Sequence, residues 1–462
     1  MQIVYKKLLL VAALLCGTGL AKAQTKQILI DSLITRSNQL GLFNGNVLII
    51  EQGGPIYRKA IGYTDASKQT LLTDQYRFHI GSIAKEFNAI AIMTLKEQGK
   101  LNIDDKISKY LTKLPKWAQT ISIKNLLQYA SGLPNLKWKD IQNDAAAMDS
   151  LKSVAKLDFE PGTQYAYNNS NILLQRQIVE QITGMKFADF VTKKILKPLK
   201  MTSSLVDPND TTPLMAKSYN NNGVPSPLAS PISGWTAVTL DDFYKWEQNL
   251  EHFKLISIAS TKVLLTPFGP NKQCGLGGGK IAGDQMITHT HDGTALNYQA
   301  LLTANFKQGR TVILLTNNKQ NNLYDINNAI QSILDGKPYL QPKKQVINAL
   351  EDKPDKTTGT ELLAAYQELK TKHSNEYSFD ESALNTLGYS LLNKKRYDDA
   401  ILIFEHNITL FPKSGNVYDS LAEAYYNKGD KVNALLNYKR VLELDPSNNG
   451  ARKMITLLQQ PY

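Results

Sequence analysis

Ser82-Ile83-Ala84-Lys85 leads into an apolar stretch, Phe87 to Leu101, whose periodicity is helical. A serine and a lysine three positions apart fall on one face of a first helical turn. The free N–H groups and positive end of a helix favour negative charge at that point, which stabilises a serine alkoxide or a neighbouring oxyanion and pushes the lysine towards its neutral form. A neutral lysine can then take the hydroxyl proton and make the serine a nucleophile. S-x-x-K alone is a weak signal, but two further elements follow in order. Tyr167-Asn168-Asn169 comes after Pro161-Gly162, and His291-Asp292-Gly293 ends a strand-like run.

Around this helix, Ile28 to Leu40 is helical in pattern, and Asn46 to Glu51 and Ile56 to Ile61 read as a hairpin about Gly53-Gly54. Met286 to Thr290, Tyr298 to Ala304 and Thr311 to Thr316 read as three more strands, followed by a helix from Leu323 to Leu334. Strands therefore bracket a mostly helical middle. One sheet built from the two ends of this region, covered by helices, with the middle forming a helical lobe, satisfies the pattern. This is an α/β (α+β) reading.

Residues 336–360 have the composition of a linker, with Pro338, Pro342 and Pro354 among lysines and aspartates. From residue 361 the chain turns helical and repeats itself. Leu387 recurs as Leu421, Ala400 as Ala434, Phe404 as Tyr438 and Pro412 as Pro446, each 34 residues on, which is the tetratricopeptide period. Two repeats are expected, Glu381 to Ser414 and Gly415 to Asn448, with capping helices at Glu361 to Lys372 and Asn449 to Gln459.

The three elements, together with Gly45-Asn46-Val47-Leu48-Ile49, GKLNIDDKISKYL at 99–111, LLQYASGLP at 126–134, PGTQYAYNNSN at 161–171 and SGWTAVTLDDFYKW at 233–246, resemble the serine β-lactamase and penicillin-binding-protein superfamily. The branch concerned holds class C β-lactamases, D-alanyl-D-alanine peptidases and related esterases. The resemblance covers Ile28 to Leu334 and implies a helix–sheet–helix sandwich with an antiparallel sheet and a helical lobe over 24–335. It implies that Ser82 forms an acyl-enzyme, that Lys85 accepts its proton and that Tyr167 passes the proton to the leaving group. Asn169 would bond Lys85 or the substrate amide, and His291 would orient the hydroxyl network or else be a structural polar residue at a strand end. Gly293 and Thr294 would line the substrate site, the N–H groups of Ser82 and Thr294 forming the oxyanion hole. No cofactor or metal is implied.

Three positions depart from the family pattern. Asp292 stands where Thr or Ser is usual, and a carboxylate there is expected to repel the carboxylate of a β-lactam. Asn297 replaces a common glycine, and Tyr129 a common histidine.

The 462 residues are 42% apolar and 20% charged, which excludes a disordered or Cys-rich scaffold. The net charge of +12 falls to +9 without Lys6, Lys7 and Lys22 and forms no Arg-rich stripe, so no nucleic-acid partner is expected. Residues 1–23 read as a signal peptide, with an apolar core from Leu8 to Leu15 and an A-x-A site at Ala21-Lys22-Ala23. The expectation is an exported chain, periplasmic or secreted, without a transmembrane segment once mature. A membrane anchor or acylation at Cys16 is the alternative. Cys274 is then the one mature cysteine, read as a small buried residue, and its CGLGGGK segment as a turn before a strand rather than a phosphate loop.

Two functions follow. One is a serine hydrolase acting on a small-molecule or peptide amide or ester, peptidase or esterase rather than strong β-lactamase. The other is a catalytically weak envelope scaffold that binds a peptide or protein partner through its repeats.

Overall fold

The computed structural model describes residues 25–460 apart from 229, 231, 321, 352 and 354, so the expected signal peptide and Cys16 lie outside the described residues. The chain divides into two compact units, one ending at Pro342 and the other beginning at Lys343.

The first unit is organised by a six-stranded sheet. Its strands are β1 (Gly45–Glu51), β2 (Gly54–Ile61), β3 (Gly278–Ala282), β4 (Gln285–Ala295), β5 (Tyr298–Asn305) and β6 (Arg310–Thr316), in the spatial order β2-β1-β6-β5-β4-β3. Every neighbouring pair is antiparallel, and β1 meets β6 with Gly45 opposite Thr316. The chain's two extremities thus share one sheet, as the strand pattern implied. β3 falls in the glycine-rich stretch after the Cys274–Gly277 turn, so strand pairing begins inside that segment.

Both faces of the sheet are covered, which is why its central strands read as unbroken apolar runs. On one face, Val47, Ile49, Val312 and Leu314 pack with Ile30, Leu33 and Ile34 of helix 25–39 and with Ile326, Ile330 and Ile333 of helix Leu323–Leu334. On the other, Leu48, Ile50, Leu302, Ile313 and Leu315 join the larger core containing Phe87, Ile90 and Trp246. Those come from α1 (Lys85–Glu97) and α2 (Leu240–Glu251). α1 is buried nearly all round, Lys85, Glu86 and Asn88 included, because the helical lobe covers the side that the sheet does not. A small second sheet, Phe78–His79 and Leu205–Val206 on either side of Thr236–Val238, was not foreseen from the sequence.

The second unit is helical. Helices Glu381–Asn393 and Tyr397–Leu410 form one hairpin, Gly415–Lys428 and Lys431–Leu444 the next, and Asn449–Leu458 follows. Pro412 and Pro446 each lie just past a second helix, where a proline cannot continue the ladder. The stretch 336–360 expected as a linker needs correction. It contains strand Lys344–Gln345 and helix Val346–Glu351, and Val346, Ile347 and Leu350 are buried with Leu362, Tyr366 and Leu384. Three apolar residues at helical spacing outweigh the polar composition around them.

Phe87 is wholly buried and stacks on Trp246 at 4.1 Å between ring centroids. Phe87→Ala should therefore cost the first unit about 3–5 kcal/mol, read as a lower urea midpoint at unchanged slope. A loss below about 1 kcal/mol would mean that the α1–α2 contact is not a main support of this core.

Candidate active site

Ser82 lies in a 3-10 turn, Gly81–Ala84, that runs directly into α1. Two glycines bring this turn against β4. Gly81 has φ +54, and a Cβ on it would sit 2.6 Å from the Thr294 carbonyl carbon; a Cβ on Gly293 would sit 2.8 Å from the Ser82 nitrogen. No other residue permits this approach, which sets the backbones of Ser82 and Thr294 side by side.

Lys85 is almost fully buried, and its Nζ donates to Ser82 Oγ at 2.9 Å. Among the described residues no carboxylate forms an ion pair with it. Instead it faces aromatic rings, 4.7 Å from the centroid of Tyr167 and 5.2 Å from that of Trp235. Burial, reinforced by the Arg176 charge, lowers the Lys85 amine to about 7. Arg176 is itself buried, bonded to the carbonyls of Ser233 and Gly234, with its guanidinium 4.9 Å from the other cation's neighbour, Trp235. The indole thus has a cation near it in both Lys85 and Arg176.

Tyr167 packs against Tyr129 with ring centroids 4.6 Å apart and the planes tilted, and keeps 38% of its surface exposed at the pocket. Burial of its phenol raises it to about 12, the Ser82 hydroxyl acting in the opposite sense, so it holds its proton at any ordinary pH. Asn168 caps helix Asn169–Thr183, its side chain accepting from the Asn171 N–H at 3.3 Å, and this cap fixes the turn that carries Tyr167 and Asn169. Ser82, Lys85, Tyr167, Asn169 and Thr294 all line one pocket of about 670 Å³, with Asp144 and Asp207 on its wall.

Of the lining residues to which the sequence pattern assigns no role, two shape the surroundings of Ser82 and Lys85. His79 Nδ1 accepts the Gly81 N–H at 2.9 Å and so helps set the turn before the nucleophile; burial, with Lys85 nearby, lowers the imidazole to about 4 and keeps it neutral. Trp235 is the other. His79 carries no local motif, and the 233–246 stretch holds Trp235 without marking it as a pocket residue, because each reaches the site through or beside the small sheet.

Other expected placements are revised. His291 does not line the pocket. It is buried behind the turn with Nδ1 2.6 Å from Glu86 Oε1, the structural alternative rather than a substrate contact. Asp292 lies on the opposite face of the sheet, because alternate residues of a strand point opposite ways. Its Oδ1 accepts from the Tyr324 hydroxyl at 2.9 Å, so the expected repulsion of a substrate carboxylate loses its basis. Asn297 Nδ2 donates to Ser226 Oγ at 2.5 Å. The buried Cys274 thiol donates to the Gly277 carbonyl at 3.1 Å, and burial raises it to about 11, which leaves it an inert thiol. His289 and His291 both meet Glu86, and among the described residues no group of three or more His, Cys, Asp or Glu side chains is arranged to hold a metal ion.

A hydroxyl against a near-neutral amine, a phenol beside them and two backbone N–H groups at the turn are the parts that acyl transfer needs. Fold and site together define a serine hydrolase of the penicillin-recognising type. The β-lactamase family model matches residues 30–335, and the chain belongs to that family; a tetratricopeptide repeat model matches 415–448. Penicillin-binding protein 4* of Bacillus subtilis is 26% identical over 74% of this chain and 82% of its own length. Teichoic acid D-alanine hydrolase of Staphylococcus aureus is 30% identical over 51% of this chain and 61% of its own length. Among solved structures, FmtA from Staphylococcus aureus superposes with a TM-score of 0.55 at 26% identity, covering 67% of this chain and 88% of its own. A class C β-lactamase gives 0.57 at 20% identity over 68% and 97%, a likeness of fold.

Only the neutral amine can accept a proton, so acylation should rise with pH through about 7 and level off above it, with about a hundredth of the plateau two units below. Ester acylation followed from pH 5 to 9 tests this, and a flat profile would count against Lys85 as base. Asp292→Asn should leave acylation by carboxylate-bearing β-lactams within about twofold, since the side chain faces away from the pocket. A tenfold gain would restore the repulsion argument.

Proposed function

We propose that the chain hydrolyses an ester or amide through an acyl-enzyme on Ser82. Lys85 takes the hydroxyl proton as Oγ attacks the carbonyl carbon, and the resulting oxyanion is held by the N–H groups of Ser82 and Thr294. Tyr167 donates its proton to the leaving oxygen or nitrogen and regains one from Lys85. Water then attacks the ester carbonyl, its proton passing back along the same groups, and Ser82 is released. Asn169, which lines the same pocket, would orient the substrate amide. The observation that carries this reading is the buried Lys85 amine, without a counter-ion among the described residues, 2.9 Å from Ser82 Oγ.

Peptidase or esterase action is favoured over strong β-lactamase action. The support is the pocket wall, where Asp144 and Asp207 hold the 233–235 segment through Ser233, Gly234 and Trp235 and outnumber the buried Arg176 cation, an excess of negative charge that disfavours a free substrate carboxylate and suits a substrate bearing an ammonium group. A D-alanyl ester has such a group, and one relative is named teichoic acid D-alanine hydrolase. We assign export to residues 1–23 and partner binding to the repeats. The scaffold reading rests on the repeat unit alone, whereas the Lys85–Ser82 pair would have no use in a protein that only binds.

The test is intact-protein mass after incubation with a D-alanyl ester, a D-amino-acid amide and a penicillin. An acyl adduct should form on the wild type and be absent from Ser82→Ala, and Lys85→Ala should slow its formation at least about a hundredfold. The D-alanyl ester should acylate faster than the penicillin. An adduct that survives Ser82→Ala would remove the mechanism, and a faster penicillin would remove the substrate preference.

A further inference from the structure

Directly after the base, Glu86 is fully buried in the first turn of α1. Its carboxylate receives three side-chain donors. Trp246 Nε1 donates to Oε2 at 2.7 Å, while His289 Nε2 and His291 Nδ1 reach Oε1 at 3.0 and 2.6 Å. The other ring nitrogen of His289 lies 2.7 Å from Glu247 Oε2. With carboxylates at both nitrogens, His289 is held as an imidazolium, and the two acids share its charge. A buried group of this kind is costly unless its geometry is maintained, and here it joins two elements that the hydrolytic mechanism needs in register.

Glu86 is one residue from Lys85, and His291 is two residues from Gly293 on the strand that supplies the Thr294 N–H. The Glu86–His291 bond therefore spans the gap across which the oxyanion donors of Ser82 and Thr294 must meet. We propose that Glu86 and His291 are positioning residues that clamp β4 to the nucleophile's turn and set the spacing of the oxyanion hole, while Glu247 serves only the outer half of the cluster. This inference rests on the hydrolase reading. It extends that reading from the groups that touch substrate to the pair that holds them in place, and it gives His291 a role behind the pocket instead of within it.

A clamp of this kind acts on the transition state, where donor placement matters most, and leaves ground-state binding nearly untouched. Glu86→Gln, His291→Gln, Glu247→Gln and Ser82→Ala are compared in the full chain with nitrophenyl acetate as substrate and phenylboronic acid as a tetrahedral mimic. Glu86→Gln and His291→Gln should each lower kcat at least about tenfold with KM within about twofold, and weaken phenylboronic acid in step with kcat/KM. Glu247→Gln should lower Tm and keep kcat within about twofold. If Glu86→Gln fails to fold, His291→Gln decides the matter, since it leaves the Glu86–His289–Glu247 chain in place. Equal loss of kcat in Glu247→Gln, or a rise in KM at unchanged kcat, would reduce the cluster to a structural one and overturn the proposal. Full turnover by Ser82→Ala would instead remove the hydrolase reading, and the clamp with it.

Discussion

The structure depends on an amine kept out of water. Lys85 is buried against Ser82, Tyr167 and Trp235, and the charge that acts on it is another cation, Arg176, which also lies near the Trp235 ring. An isolated ammonium in such a place is expensive, and the group answers by giving up its proton readily. What would be a defect in a purely structural core becomes a base at neutral pH. Much of the surrounding architecture maintains this condition: α1 holds the amine inside, helix Asn169–Thr183 carries Arg176 while the turn leading into it carries Tyr167, and the 233–235 segment supplies the indole.

The charges around the site are sorted by the sheet and by α1. Glu86 follows Lys85 in sequence, yet its carboxylate points into the cluster of His289, His291 and Trp246 and is held well down, to about 2, despite burial, because the two histidines favour its ionised form. Neighbouring positions of one helical turn thus hold an amine that readily loses its proton and a carboxylate that does not readily gain one. Only the different directions of the two side chains allow this.

Much of the site was legible in the sequence because its chemistry is local. Ser82 and Lys85 share a helical turn, Tyr167 and Asn169 sit at a helix cap, and Gly293-Thr294 ends a strand, so each element has a short signature. The hairpin, the three later strands and the 34-residue repeat were legible for the same reason. What escaped depends on direction or distance. The two-residue period of β4 puts Asp292 on the face opposite His291 and Gly293, a distinction that the motif's spacing alone does not carry. Glu86 meets partners more than two hundred positions away, and no spacing announces them. His79 and Trp235 converge through a sheet of very short strands whose pairing has no turn signal. At 336–360, prolines and lysines masked three buried apolar residues.

The pairing of Gly45 with Thr316 has a consequence for how this molecule comes into being. A hairpin at one end of the hydrolase region waits for its central neighbour until almost the whole region has been synthesised, and closing so large a loop is slow compared with forming adjacent helix pairs. The helical repeats, whose contacts join near neighbours in sequence, face no such delay. A ribosome stalled between Asn169 and the last strand therefore yields a fragment with S-x-x-K and Y-x-N already present but without the completed sheet on which the pocket is built.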